Sequence, residues 1–191
     1  RATRERILAA AEAVFAELGF DAASIVKITE RAGIGQGTFY LYFDGKAQVF
    51  DEVVDDLNRR VRHAMTEASA GATTRIEAER RGFEGFFRFT AEHPSLYRII
   101  RQAEFVSPGA LRRHYTRIVD GYIAGLTAAR AAGEIGDVDP EVAAWVLMGI
   151  GEMVGMRWVL WGETSEVPPA VVDDVMDMIS RALGTRTEGK R

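Results

Sequence analysis

Between Gln36 and Lys46 the chain places an amide, a hydroxyl, two phenols and an ammonium, on Gln36, Thr38, Tyr40, Tyr42 and Lys46. No base stands in register with a nucleophile here. These groups share the ability to donate or accept hydrogen bonds at flat polar edges and at phosphate oxygens. The segment before them supplies a mount. Ser24 to Ala32 is amphipathic, with Ile25 and Ile28 on one face, and Gly33 supplies the left-handed residue that ends a helix. A short turn containing glycine follows, Gly35 stands at the next N-cap, and a second helix presents Gln36, Gly37 and Thr38 in its first turn. A helix pair joined this way is a helix-turn-helix, whose second helix meets base edges in the major groove of a duplex while neighbouring hydroxyls and backbone N–H groups meet phosphates.

The spacing extends through three helices. Ile7, Leu8, Ala11 and Phe15 lead to Gly19-Phe20, then Ile28 and Ala32-Gly33-Ile34, then Gly37-Thr38, Tyr40, Tyr42-Phe43 and Lys46. This pattern resembles the DNA-binding domain of the tetracycline-repressor (TetR) family over Arg4 to about Phe50; beyond residue 70 the likeness is one of architecture. The resemblance implies that Gln36 reads a base, since an amide both donates and accepts at an adenine edge. It further implies that Thr38 and Tyr40 meet phosphates or a thymine methyl, that Tyr42 meets phosphate, and that Lys46 anchors the DNA backbone at the next helix start. Phe43 belongs to the core. Ser24 caps its helix and also touches phosphate, and Lys27, facing away from Ile28, reaches the backbone or stays solvated. The resemblance also implies a homodimer on a pseudo-palindromic double-stranded operator, a repressor released by a small apolar or amphipathic effector, with an activator as the alternative. Thr29 stands where the family has Ala, Gly35 where it has a capping Ser, and Gly45 and Ala47 where it has Ser and Glu. Each change weakens a cap by about 0.5–1 kcal/mol.

At 191 residues with 47% hydrophobic content, the chain suits one or two globular domains. The net charge is −4, but of 24 Lys/Arg and 28 Asp/Glu, six of each fall within residues 1–46, so the excess acidity lies wholly beyond them. A neutral reading head carries little long-range attraction for DNA, which makes a dimer and well-placed phosphate contacts necessary. The chain opens on Arg1 and not on Met; a basic arm ahead of it would add affinity. The N-terminal segment lacks the apolar run of a signal peptide, and the absence of cysteine excludes disulfides and thiolate chemistry while fitting a reducing compartment, so a cytoplasmic protein is expected. His63, His93 and His114 are too scattered for a local metal motif. No catalytic residue, cofactor or metal is expected; a helical carrier or an enzyme with an incidental helix-turn-helix is the rival class.

No alternating strand pattern interrupts the helical spacing, so the fold class is all-α with about nine helices. The expected division is a helix-turn-helix DNA-binding domain at 1–46 and a ligand-binding and dimerisation domain at 47–191, linked through a long fourth helix from Lys46 to Ser69. Thr74 and Glu77 have capping-box spacing, and Pro94, Pro108, Pro140 and Pro169 open later helices. Val142 to Trp161 is apolar apart from Glu152 and Arg157; two charges and three glycines argue against a bilayer, so a helix buried on nearly all sides is expected. Gly151 and Gly155 have the spacing of close helix contact. With the apolar ninth helix they suggest a four-helix dimer interface, or else close packing within one subunit. Phe83, Phe86, Phe87, Phe105, Tyr122, Trp145, Met148 and Met153 suit either an apolar cavity or an ordinary core. The family resemblance favours a cavity among helices five to eight, where His114 and Glu152 serve either as polar handles or, in the plainer reading, as surface residues or members of a satisfied pair.

Overall fold

The computed structural model describes residues 2–162 and 166–185. Among the described residues there are nine α-helices and no strand: α1 (Ala2–Ala22), α2 (Ile25–Ala32), α3 (Gln36–Tyr40), α4 (Lys46–Ser69), α5 (Arg75–Glu92), α6 (Ser95–Val106), α7 (Pro108–Ala131), α8 (Pro140–Gly155) and α9 (Pro169–Ala182). A π-helical turn, Met156–Leu160, extends α8. The packing groups these helices into two compact units, residues 1–59 with 94–114, and residues 60–93 with 115–191. The first unit therefore includes α6 and the start of α7 as well as the helix-turn-helix, whereas the sequence alone places a functional division at residue 46.

The core of the first unit shows why α6 joins it. Gly19 takes φ 79° and ψ 162° and kinks α1, which interrupts the helical hydrogen-bond ladder. Gln102 on α6 spans the break: its carbonyl accepts from the Phe20 N–H at 2.8 Å, and its amide donates to the Phe15 carbonyl at 3.1 Å. Around this joint Phe15, Phe20 and Phe50 form an aromatic cluster, with Phe15–Phe50 and Phe20–Phe50 edge to face at 5.1 and 5.3 Å. Ile7, Ile28, Phe39, Val49, Leu57 and Ile99 fill the remainder and are fully buried. Ile25 is only half-buried and Leu18 is exposed, because α2 and the end of α1 lie at the rim of this core.

In the second unit α5 carries the apolar stripe. Phe83, Phe86, Phe87 and Phe89 are buried as their helical spacing requires. Its N-terminus is capped by Thr74, whose side chain accepts from the Glu77 N–H, while Glu77 accepts from the Thr73 N–H at 2.8 Å and the Thr73 hydroxyl at 2.9 Å. The capping box thus closes one residue earlier than its spacing suggests. Those bonds, with Arg81 alongside, hold the Glu77 carboxyl below its ordinary range.

The structure corrects the expectation for the apolar stretch from Val142. Pro140–Leu160 is long and apolar enough to cross a membrane, yet it is not buried on nearly all sides. Val142, Trp145, Val146 and Met153 are exposed on α8, and Met178 is exposed on α9. Gly149 lies on the same stripe and a Cβ there would meet nothing. The inward face is made by Ala144, Leu147 and Gly151, and a Cβ on Gly151 would come within 3.1 Å of the Phe83 ring. Gly151 therefore serves close packing of α8 on α5 inside one subunit, the second of the two roles open to it. The bulky apolar residues of α8 lie on its other side and are exposed.

Candidate nucleic-acid interface and ligand cavity

The reading head is built by local backbone chemistry. Ser24 has extended dihedrals and its hydroxyl accepts from the Lys27 N–H at 3.2 Å, starting α2. Gly33, at φ 64° and ψ 42°, ends it, with the Gly33 N–H bonded to Glu30 and the Ile34 N–H to Thr29. Arg6 from α1 donates to the Ala32 carbonyl at 2.6 Å and to that of Gly33 at 3.2 Å, placing a cation at the negative end of α2. The turn angle is thereby tied to α1. Gly35 opens α3 with no side-chain cap, as its lack of a hydroxyl dictates.

Five residues make a helix too short to persist by itself in water, so α3 depends on what it buries. Phe39 is fully buried and stands 5.6 Å from the ring of Phe43, which is itself in the core. This anchor turns the other side outward. Gln36, Gly37 and Tyr40 are exposed, Tyr42 is exposed just beyond α3, and Thr38 is partly covered. A Cβ at Gly37 would meet nothing within 4 Å, so the backbone there is open to close approach.

Lys46 departs from the simplest expectation. Its ammonium donates to the carbonyls of Phe20 at 2.7 Å and Ala23 at 3.0 Å and lies 4.3 Å from the Phe20 ring centroid. Two of its three protons are thus committed to joining the start of α4 to the α1–α2 turn. Lys27 is exposed and donates to the Ala22 carbonyl at 2.9 Å. At the α4 start, where Gly45 and Ala47 offer no cap, Gln48 accepts from the Asp44 N–H. The expected weakness there is offset by a residue that the sequence pattern does not single out.

The residues expected at a ligand cavity stand in different surroundings among the described residues. Phe83, Phe86 and Phe87 are core; Trp145 and Met153 are exposed on α8, Met148 is partly covered, and Glu152 accepts from the Tyr115 hydroxyl at 3.3 Å. Phe105 is 85% exposed in the first unit, because the end of α6 projects it away from the core. His114, also in the first unit, is buried, with the Asn58 amide 3.1 Å from its Nδ1 and donating to its carbonyl at 2.9 Å. It is a buried histidine held within the first unit.

Of those ten residues, Tyr122 alone lines the cleft of about 210 Å³ between α4, α5 and α7 in the second unit. The other walls are Arg62, Met65, Thr66 and Ser69 of α4, Arg75, Ala78, Glu79 and Gly82 of α5, and Arg117, Ile118 and Gly121 of α7. Glu79 is 1% exposed and accepts from Arg75 Nε at 2.8 Å and from its Nη2. The guanidinium fits only because α7 has glycine opposite, since a Cβ on Gly125 would fall 1.9 Å from it. Burial raises the Glu79 carboxyl above its ordinary value against the pull of Arg75, and burial together with the neighbouring Glu79 charge pushes the Tyr122 phenol up. One sequence signal marks this site. Glu79 occupies a stripe position of α5, three residues after Ile76 and four before Phe83, where an apolar side chain is the rule.

The comparisons with known proteins bear on both halves. Residues 7–53 match the family model for bacterial regulatory proteins of the tetR family. The chain is 28% identical over 185 residues to YdgC, an HTH-type transcriptional regulator of Bacillus subtilis (strain 168), covering 93% of this chain and 90% of that one. Its fold superposes on the fatty acid degradation regulator FadR of Bacillus halodurans with a TM-score of 0.85 at 21% identity, over 97% of this chain and 98% of the other. FadR of Bacillus subtilis in complex with stearoyl-CoA gives a TM-score of 0.80 at 22% identity, over 92% and 96% of the two chains.

Proposed function

Because the chain belongs, through residues 7–53, to the tetR family of bacterial regulatory proteins, we propose that this transcriptional regulator is a cytoplasmic homodimeric repressor whose α3 helices read a pseudo-palindromic operator. The observation that carries the reading is α3 itself: one buried ring, Phe39, holds it, and its polar residues Gln36, Thr38 and Tyr40 occupy the other side. Tyr42, Ser24, Lys27 and the remaining Lys46 proton supply phosphate contacts, and Gly37 permits close backbone approach. The chain carries no catalytic task in this reading.

A small amphipathic effector bound in the second unit releases the operator by favouring one arrangement of the reading heads over another, since equal affinity for both would shift nothing. That a protein of this fold holds stearoyl-CoA supports an amphipathic effector. The test is selection of duplexes from a random pool, followed by fluorescence anisotropy on the selected sequence. Gln36→Ala should relax preference at one base position by about 1–3 kcal/mol and leave nonspecific affinity unchanged. An unaltered sequence preference in this variant removes Gln36 from base readout.

The exposed stripe Val142, Trp145, Val146, Gly149 and Met153 supports α8 as the contact between subunits, with Met178 of α9 beside it. An apolar groove of about 310 Å³, walled by Val142, Val146, Ile150, Ile179 and Leu183 among others, continues the same surface. Exposed bulky apolar side chains on a helix cost free energy in water, and a second copy that covers them recovers it. Trp145→Glu with Met153→Glu should convert the dimer to a monomer in sedimentation equilibrium and weaken operator binding in parallel. A dimer of undiminished stability in this variant places the contact elsewhere.

A further inference from the structure

The start of α2 is fixed from outside the helix-turn-helix. A side-chain amide accepts at one atom and donates at the next, and Gln102 of α6 uses both across the Gly19 break. Its Oε1 takes the Phe20 N–H at 2.8 Å, while Nε2 meets the Phe15 carbonyl at 3.1 Å and, on its own helix, the Arg98 carbonyl at 3.0 Å. Three bonds to main-chain groups hold this side chain in one orientation. Phe20 is gripped from its other end as well. Its carbonyl accepts from the Lys46 ammonium at 2.7 Å, and the same ammonium holds the carbonyl of Ala23 at 3.0 Å, one residue before Ser24 caps α2. Phe20 therefore joins α6 to α4 in series, through its N–H on one side and its carbonyl on the other. At the far end of α2, Arg6 of α1 holds the carbonyls of Ala32 and Gly33. The helix is tied to α1 at its C-terminal end, and at its N-terminal end to α4 and, by way of Phe20, to α6. Because α3 follows after Gly33-Ile34-Gly35, a shift of α2 carries α3 with it.

We infer that Gln102 is a positioning residue for operator recognition: by holding the Phe20 N–H it sets, through Phe20 and Lys46, where the N-terminus of α2 and hence the base-reading side of α3 stand. The inference rests on the reading of α3 given above and extends the recognition machinery beyond residues 7–53, to a residue 82 positions from the N–H it accepts. Base contacts require side chains held to within about 0.5 Å, and hydrogen bonds behind the contacting residues supply that hold. Attraction of the chain to phosphates in general needs no such register. Loss of the Gln102 amide should therefore separate two properties that loss of folding would lower together.

The test uses the full chain and Gln102→Met, which keeps the length of the side chain but carries no N–H and only a weak acceptor. At a temperature where circular dichroism shows both proteins folded, anisotropy should find the variant about tenfold weaker on the selected duplex, as expected for one buried N–H left without its acceptor. Affinity for an unrelated duplex should stay within about twofold of wild type, since it rests on charge. Amide hydrogen exchange should quicken by at least about tenfold at Phe20 and stay unchanged at the buried amides of α5, a local opening that general destabilisation would not confine. Gln102→Glu keeps the acceptor for Phe20 and should lose less of the preference than Gln102→Met. Lys46→Met supplies a double-mutant cycle. If both residues act through Phe20, the double variant should retain at least about threefold more operator affinity than the product of the two single losses predicts. An unchanged ratio of selected to unrelated affinity in Gln102→Met, unchanged exchange at Phe20, a loss in Gln102→Glu as large as in Gln102→Met, or single losses that simply multiply would each overturn the inference. The wild type separates the two levels. A wild type that prefers no duplex defeats the reading of α3 and this inference with it, whereas a wild-type preference kept in full by Gln102→Met defeats only the role of Gln102.

Discussion

Glu79→Ala is expected to destabilise the protein by about 3–5 kcal/mol, because it strands the Arg75 guanidinium against α7 without its buried partner. Glu79→Gln should behave differently. It keeps an acceptor for Arg75 and removes the charge that burial penalises, so at neutral pH it should lose far less. The pH dependence follows from the direction of the shift. Glu79 holds its proton more tightly in the folded chain than in the unfolded one. Its contribution is therefore fully present below the unfolded carboxyl value and is lost as pH rises through the raised folded value. The stability of the wild type relative to Glu79→Gln should accordingly fall across that window and level off above it. Urea denaturation at several pH values measures both effects. If Glu79→Ala unfolds at the same urea midpoint as the wild type, the buried pair is not what holds α5 to its place.

Phe39→Ala should be comparably severe and should strike DNA binding most directly. A fully buried phenylalanine truncated to alanine costs about 3–5 kcal/mol, and here the ring is the main anchor of a five-residue helix that cannot stand alone. With that loss concentrated in α3, the binding-competent form becomes a minor population and apparent operator affinity should drop by at least about a hundredfold. Tyr40, whose ring is 5.5 Å from that of Phe39, loses its support as well. Anisotropy on the selected duplex, with far-ultraviolet circular dichroism to follow the rest of the fold, gives the measurement. Operator affinity close to wild type would show that α3 is not the reading helix.

The two variants probe features of very different visibility in the sequence. Phe39 belongs to a pattern whose spacing can be read directly: Gly33 and Gly35 set the turn, Gln36 to Thr38 follow, and Phe39 and Phe43 fall on the buried side. Glu79 shows only as an acid on an apolar stripe; its four-residue spacing from Arg75 permits the pair but does not show that it is buried. Gly82, Gly121 and Gly125 are equally mute, because a glycine in a helix signals neither what approaches it nor what space it leaves. The cleft is therefore lined mainly by residues that a search for aromatic and methionine side chains passes over.

The amino-acid sequence determined the helices, their ends and the helix-turn-helix, since caps, prolines and left-handed glycines act on neighbours a few residues away and need no knowledge of the remainder of the chain. Tertiary structure alone decided which surfaces those helices spend on one another. It placed Gln102 on the break at Gly19, 82 residues from the N–H it receives; it committed Lys46 to carbonyls of the α1–α2 turn; and it turned Gly151 inward so that Trp145 and Met153 face out. Helical periodicity defines a face but not its partner. The partner is chosen by shape and by the satisfaction of buried polar groups, which exist only once distant segments have packed.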